Sequence, residues 1–178
     1  VYHKALEVGR VVQAGIQALD LQLADKSVAT TNNSIGNLVV NQLAASGIAI
    51  KIAASADDVG IETAAGNRRC AKSQNNRISK AKVRSARNGE LAKINSLAHK
   101  LGPSGTLPQQ AYGHTVQGAS PSQVKAMRRS MKLGTNLGNT SSCTTTTLAW
   151  FYGPRGDPAI STKFEQISDW IDTWIAAS

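Results

Sequence analysis

Half of the basic residues in this chain sit in a single stretch, and that stretch restricts how the chain can fold. Residues 67–100 hold ten Lys or Arg and one acid, Glu90, whereas the rest of the chain carries ten basic and ten acidic residues and is neutral. The whole formal charge of +9 therefore belongs to one segment. Ten cations cannot be buried without partners, so the segment must lie at the surface and offer the core only its uncharged positions. Its spacing shows how. Arg77, Lys80, Arg84 and Arg87 recur at i, i+3, i+7 and i+10, an arc of about 80° at 100° per residue, while Ile78, Ala81 and Ser85 fall well around the cylinder. The pattern predicts a helix with one basic face and one packing face. A concentrated basic face on an otherwise neutral chain is the electrostatic footprint of a polyanion, nucleic acid first and an anionic membrane surface as the alternative.

Composition limits the remaining options. At 178 residues the chain is one domain or somewhat more. Hydrophobic residues at 41% and charged residues at 17% fit a folded protein, neither disordered nor membrane-spanning. Aromatics make up only 4%, so the core must be built from small and aliphatic side chains. Cys70 and Cys143 have no neighbours at metal-ligand spacing, and no zinc site is expected. Val1–Leu19 is amphipathic without the features of a signal peptide, and the chain reads as a piece of something longer.

The order of elements begins as α/β. A helix over Lys4–Leu19 is expected to pack through Val8, Val12 and Leu19, although Gly9 and Gly15 weaken it. Leu21–Leu23 and Ser27–Thr30 suggest an extended segment or short hairpin. Asn32, Asn33 and Ser34 are N-cap candidates for a helix through Ile35, Leu38 and Val39, with Gly47 suited to its left-handed end. Ile48–Ile52 and Val59–Thr63 read as strands of a hairpin. From Arg68 onward the pattern is helical. Leu91, Ile94, Ala98 and Leu101 should continue an apolar face, and Ser120-Pro-Ser-Gln123 is a capping box ahead of Val124, Met127 and Met131. A short helix over Thr144–Tyr152 should close at Gly153-Pro154, and the last helix should start at Asp157-Pro158 or at Thr162–Glu165. In it Ile160, Phe164, Ile167, Trp170, Ile171, Trp174 and Ile175 share an arc of about 140° at 100° per residue, expected to fill the core of a C-terminal helical cluster.

Catalytic constellations are not visible. His3, His99 and His114 lack a nucleophile or acid at recognisable spacing, and no phosphate-cradling glycine loop is present. Asp57-Asp58 is the one carboxylate pair that could hold metal ions for phosphoryl transfer, but no third carboxylate lies upstream at a plausible strand end.

Read in order, these features are similar to those of a known family. A helix leading to Leu21-Gln-Leu-Ala-Asp-Lys26-Ser27, a further helix, then Asp58-Val-Gly-Ile61 and Arg-rich helices resemble the C-terminal part of a non-long-terminal-repeat retrotransposon reverse transcriptase. Leu107–His114, Gly118, Arg128, Cys143-Thr-Thr-Thr146 and Asp157-Pro-Ala-Ile160 resemble the region downstream, so the likeness spans nearly the whole chain in order. Val59 stands where the family has Leu, and the aromatic-x-Asp-Asp strand of the polymerase is not in this sequence.

The resemblance implies an α+β fold: a small α/β palm remnant over residues 1–66 with a primer-grip-like hairpin over 48–63, a mainly helical thumb-like segment over 67–105, and a C-terminal helical cluster over 106–178. It implies a non-catalytic fragment of an RNA-directed DNA polymerase that binds RNA template and DNA primer through backbone phosphates. Arg68, Arg69, Lys72, Arg77, Lys80, Arg84 and Arg87 are the nucleic-acid-binding candidates. Lys26 would contact the incoming nucleotide's phosphates or act as a general acid in the parent; a surface lysine beside Asp25 is the other reading of that residue. No metal site or cofactor is expected in this chain, although Mg²⁺ is implied for the parent. The partners implied are nucleic acid and the upstream palm and fingers, without a membrane, and an intracellular or nuclear setting. A free-standing basic helical RNA-binding module and a degenerate element copy without function are the alternatives.

Overall fold

The computed structural model describes every residue except positions 1, 22–26, 32–34, 46, 49, 59, 66–68, 139 and 178. The fold is mostly helical with a small set of strands, an α+β class. The chain divides into two compact units, Val1–Cys70 and Ala71–Ser178. The segments 67–105 and 106–178, distinguished by sequence, pack together within the second unit apart from its first few residues.

In the first unit, helix α1 (Tyr2–Ala18) packs on α2 (Ile35–Ala45). The contact is made by Leu6, Leu43 and Ile48, with Val39 and Ile50 at its edge. Val8, Val12 and Leu19, expected to face inward, are exposed. The physical reason lies at Gly9, where a Cβ would come within 2.6 Å of a Leu43 methyl. A bare backbone lets α2 approach on that side, so α1 turns Leu6 and Gly9 inward in place of its valines. Helix α2 is closed by Gly47 at φ +82°, with Ile48 N–H donating to Leu43 O at 2.9 Å. That is the left-handed closure expected at Gly47.

Strand β1 (Val28–Thr30) pairs in parallel with β2 (Lys51–Ala53), Ala29 opposite Ile52, so α2 is the crossover of a β-α-β unit. This corrects the reading of 48–63 as one hairpin. The hairpin is shorter and lies later: β3 (Ser55–Asp58) pairs antiparallel with β4 (Ile61–Ala64) around Gly60 at φ +78°. Ser55 Oγ donates to Glu62 Oε1 at 3.1 Å across it. The N-cap candidates Asn32–Ser34 lie outside the described residues, as does most of the Leu21–Ser27 motif.

In the second unit, α3 (Lys72–Ile94) runs unbroken through Gly89. Its buried residues Gln74, Ile78, Ala81, Ser85, Asn88 and Ala92 alternate at spacings of four and three, one seam along the helix. Mostly small and polar, the seam allows close packing on α6 (Pro121–Leu133). Ser85 Oγ lies 3.2 Å from Ser130 Oγ, and a Cβ on Gly89 would stand 2.2 Å from Leu133 O. Leu91 and Ile94, expected to continue an apolar packing face with Leu101, are 50% and 89% exposed because the seam runs along a different side of α3; the helix ends at Ile94, before Leu101, which is 45% exposed.

Tight turns over Ser96–Lys100 and Gly102–Thr106 lead to α4 (Leu107–Ala111) and α5 (His114–Gln117). The capping box forms as expected: Gln123 N–H donates to Ser120 Oγ at 3.3 Å and Ser120 N–H to Gln123 Oε1 at 3.0 Å. Leu107, Ala111, Met131 and Leu148 make the core, with Leu148 on α7 (Thr144–Tyr152). Tyr152 packs against this core and donates its hydroxyl to Met131 O at 3.2 Å. Burial pushes the Tyr152 phenol far above its ordinary pKa, so it stays a donor.

Helix α8 (Pro158–Ala177) begins at Asp157-Pro158, the first of the two starts considered. Asp157 Oδ1 accepts from Ala159 N–H at 2.9 Å, and its carboxylate receives Arg128 Nε and Nη2 at 2.9 Å each. Arg128 also donates to Thr145 Oγ1 at 2.7 Å. One ion pair thus ties α6, α7 and the start of α8 together. The apolar arc of α8 does not fill a core: Phe164, Ile167, Trp170, Ile171, Trp174 and Ile175 are 44–66% exposed, because the helix docks through Pro158, Ser161, Thr162 and Gln166 on its other side.

Candidate nucleic-acid interface

Helix α3 presents the basic stripe on the flank of its buried seam, about 100° around the cylinder from the seam's centre at 100° per residue. That offset sorts the four cations into two pairs. Arg77 and Arg84 stand at the edge nearest the seam and reach back to the fold. The Arg77 guanidinium lies 4.8 Å from the centroid of the Tyr112 ring, and its Nη1 donates to Tyr112 O at 3.5 Å. Arg84 Nη1 donates to Gly105 O at 3.4 Å. Lys80 and Arg87 lie on the outer edge, exposed and with no acidic partner among the described residues. Carbonyl contacts leave a guanidinium its full charge and several further donors, so all four residues keep a positive potential along one side of the helix.

Among the other candidates, Lys72 is exposed in the first turn of α3. Arg69 is exposed but belongs to the first unit. Lys26 and Arg68 lie outside the described residues. Lys82 is exposed on another side of α3, well away from the stripe. Charge follows the division of the chain: Ala71–Ser178 holds fourteen basic and five acidic residues, and Val1–Cys70 holds six of each. The net +9 resides entirely in the second unit.

Sequence reasoning passed over Tyr112 as a neighbour of the stripe. It is 46% exposed and stacked by Arg77, an arrangement that holds both the cation and the ring in place. Arg128 and Lys132 carry charge too, but the first is bound to Asp157 and the second donates to Thr140 O and Ser142 O at 2.8 and 2.7 Å.

No group of three or more His, Cys, Asp or Glu side chains that could hold a metal ion occurs among the described residues. Asp57 stands opposite Glu62 in the β3–β4 ladder. His114 is buried, with Nε2 3.1 Å from Glu165 Oε2 and its carbonyl accepting from Gln166 Nε2 at 2.8 Å, a structural role in docking α8. Cys143 is exposed ahead of α7, where the Thr146 backbone N–H, helped by the Thr146 side chain and by Thr145, lowers its thiol pKa to about 7.

Compared with protein-family models, curated proteins and solved structures, the chain has no match.

Proposed function

We propose that this chain binds nucleic acid through the phosphate backbone, with the outer side of α3 as the contact surface. The observation that carries the reading is the pairing of a locked inner seam with an exposed basic flank. The seam residues Ala81 and Ser85 fix the rotation of α3, so Lys80 and Arg87 must face solvent and Arg77 and Arg84 lie along the same line. Such a line meets successive phosphates and reads no bases.

The finer reading is that the chain comes from the end of the palm and the thumb-like region of a retroelement RNA-directed DNA polymerase, with RNA template and DNA primer as its ligands. The motif order supports it, as does the way the fold joins three distant motifs of the likeness, Arg128, Thr145 and Asp157, in one hydrogen-bonded cluster. On this reading the chain alone does not polymerise, because its sequence lacks the aromatic-x-Asp-Asp strand. Primer extension by the purified chain with Mg²⁺ or Mn²⁺ would overturn that statement. One observation favours the free-standing RNA-binding module: the second unit has its own core and all of the net charge. The reading frame upstream of Val1 separates the two. An aromatic-x-Asp-Asp within about 30 residues supports the polymerase, and a nearby Met start without it supports the module.

A further inference from the structure

Tyr112 is held at the surface by the residues on either side of it. Ala111 ends α4 and His114 begins α5, and both are buried. Between them the backbone leaves the helix at Tyr112, with ψ 129°, and passes through Gly113 at φ +79°. The second anchor is tied in turn to α8, since His114 O accepts from Gln166 Nε2 at 2.8 Å. Drawn inward on both sides, the chain leaves Tyr112 at the corner, 46% exposed. Arg77 fixes it from α3: the guanidinium lies 4.8 Å from the ring centroid, and Nη1 donates to Tyr112 O at 3.5 Å. A ring anchored in this way keeps one orientation, so a ligand that stacks on it does not have to order it first.

The position of this ring gives it a use. Arg77 is both the neighbour of Tyr112 and the first cation of the stripe, which continues through Lys80 and Arg84 to Arg87, about 15 Å further at 1.5 Å per residue. An exposed aromatic ring therefore stands at one end of a line of cations. A duplex offers such a line its phosphates alone, because its bases are paired and stacked on one another. A single strand offers phosphates and unpaired base faces together. Cations that follow the backbone beside an aromatic ring that takes a base are the combination by which single strands are held without regard to sequence.

We propose that Tyr112 stacks an unpaired base at the Arg77 end of the stripe, so that the ligand of this chain is a single-stranded nucleic acid. On the reading that α3 contacts phosphates, the strand runs from Arg77 towards Arg87 through its backbone and turns one base onto the ring. Arg77 then holds the ring from within the fold and the adjoining phosphate from its remaining donors. No base edge is read, so the preference is for an unpaired strand and not for a sequence. Nothing in this depends on the likeness to a polymerase.

Fluorescence anisotropy of the full chain with three labelled probes of equal length tests this: a thymidine single strand, the same strand with abasic sites in place of the bases, and a duplex DNA. The two single strands carry the same phosphates, so the thymidine strand should bind more tightly than the abasic one by about five- to hundredfold, the effect of one stacked base. Tyr112→Leu should abolish that difference and leave the affinity for the abasic strand, the affinity for the duplex and the salt slope unchanged. Tyr112→Phe, which keeps the ring, should bind like the parent, and so should Trp150→Leu, which removes a ring 84% exposed on α7. The parent's comparison of the two single strands holds whether or not Tyr112→Leu folds. Equal affinity of the parent for both single strands would overturn the stacking, and the phosphate contact would survive it if the salt slope still answered to the stripe. Tyr112→Leu weakening the abasic strand or the duplex as much as the thymidine strand would reduce the ring to a support for Arg77 and overturn the stacking too. Failure to bind any of the three probes would overturn both.

Discussion

Substituting Gly89 by Ala sets two effects of opposite sign against each other at a single helical position. In a helix interior Ala is better than Gly by about 0.8–1.0 kcal/mol, so propensity alone predicts stabilisation. Packing predicts the reverse. The added Cβ would stand 2.2 Å from Leu133 O, a backbone atom, so α3 and α6 would have to separate by more than 1 Å at their closest point. Separation there strains the neighbouring Ser85–Ser130 hydrogen bond. Overpacking of this kind costs about 1–3 kcal/mol, and a backbone neighbour places it at the upper end, so the net loss should be about 2 kcal/mol. For a unit of this size that lowers the melting temperature by about 8 °C or more. Ala86→Gly, at an exposed position three residues earlier, measures the propensity difference in the same helix and should cost about 1 kcal/mol. Urea unfolding followed by circular dichroism at 222 nm gives both values. If Gly89→Ala stabilises the protein by the amount that Ala86→Gly destabilises it, the close α3–α6 contact does not exist and the orientation of the basic stripe loses its basis.

Other consequences are equally specific. Gln74 is 2% exposed with neither side-chain atom hydrogen-bonded among the described residues, so Gln74→Met should stabilise the fold by about 1–3 kcal/mol, and destabilisation in urea would show that its amide is bonded. Arg128→Met leaves Asp157 nearly buried without its counter-ion and should cost about 2–4 kcal/mol, measured in a double-mutant cycle with Asp157→Asn. Trp174→Ala should change stability by less than about 0.5 kcal/mol, because the ring is 65% exposed; a loss of 3–5 kcal/mol would restore it to a core. Alkylation of Cys143 should rise with pH around a midpoint of about 7, since the thiolate reacts and its pKa is depressed; a midpoint near the ordinary thiol value of 9.0 would remove the helix-end hydrogen bonds as its cause.

Local signals were legible in the sequence, and their outcomes show where legibility ends. The capping box at Ser120, the left-handed glycine at 47, the start of α8 at Asp157-Pro158 and the division of α3 into basic and packing sides all follow from contacts within a few residues. What could not be read is which side of an amphipathic helix finds a partner. In α1 the missing side chain of Gly9 decided it, and in α8 the polar anchors at Asp157, Thr162 and Gln166 did. The parallel pairing of β1 with β2 depends on residues more than twenty positions apart and has no local signature. In the candidate interface, the stripe was visible as spacing, but the Arg77–Tyr112 stack joins residues 35 positions apart, and no pattern in either segment announces it.

The central claim is that the outer side of α3 contacts phosphates. Its most direct measurement is the salt dependence of binding, taken by fluorescence anisotropy with a short duplex DNA and a single-stranded RNA. Each phosphate neutralised contributes about −0.9 to the slope of log K against log salt for duplex DNA and about −0.7 for a single strand. Replacing Arg77, Lys80, Arg84 and Arg87 with Gln should flatten the slope by roughly two to four units and weaken all sequences alike. Lys80→Gln/Arg87→Gln alone, at the two outer positions, should account for about half of that change, and Lys82→Gln should leave the slope unchanged. A quadruple variant with the parent's slope, or an equal effect from Lys82→Gln, would contradict the account.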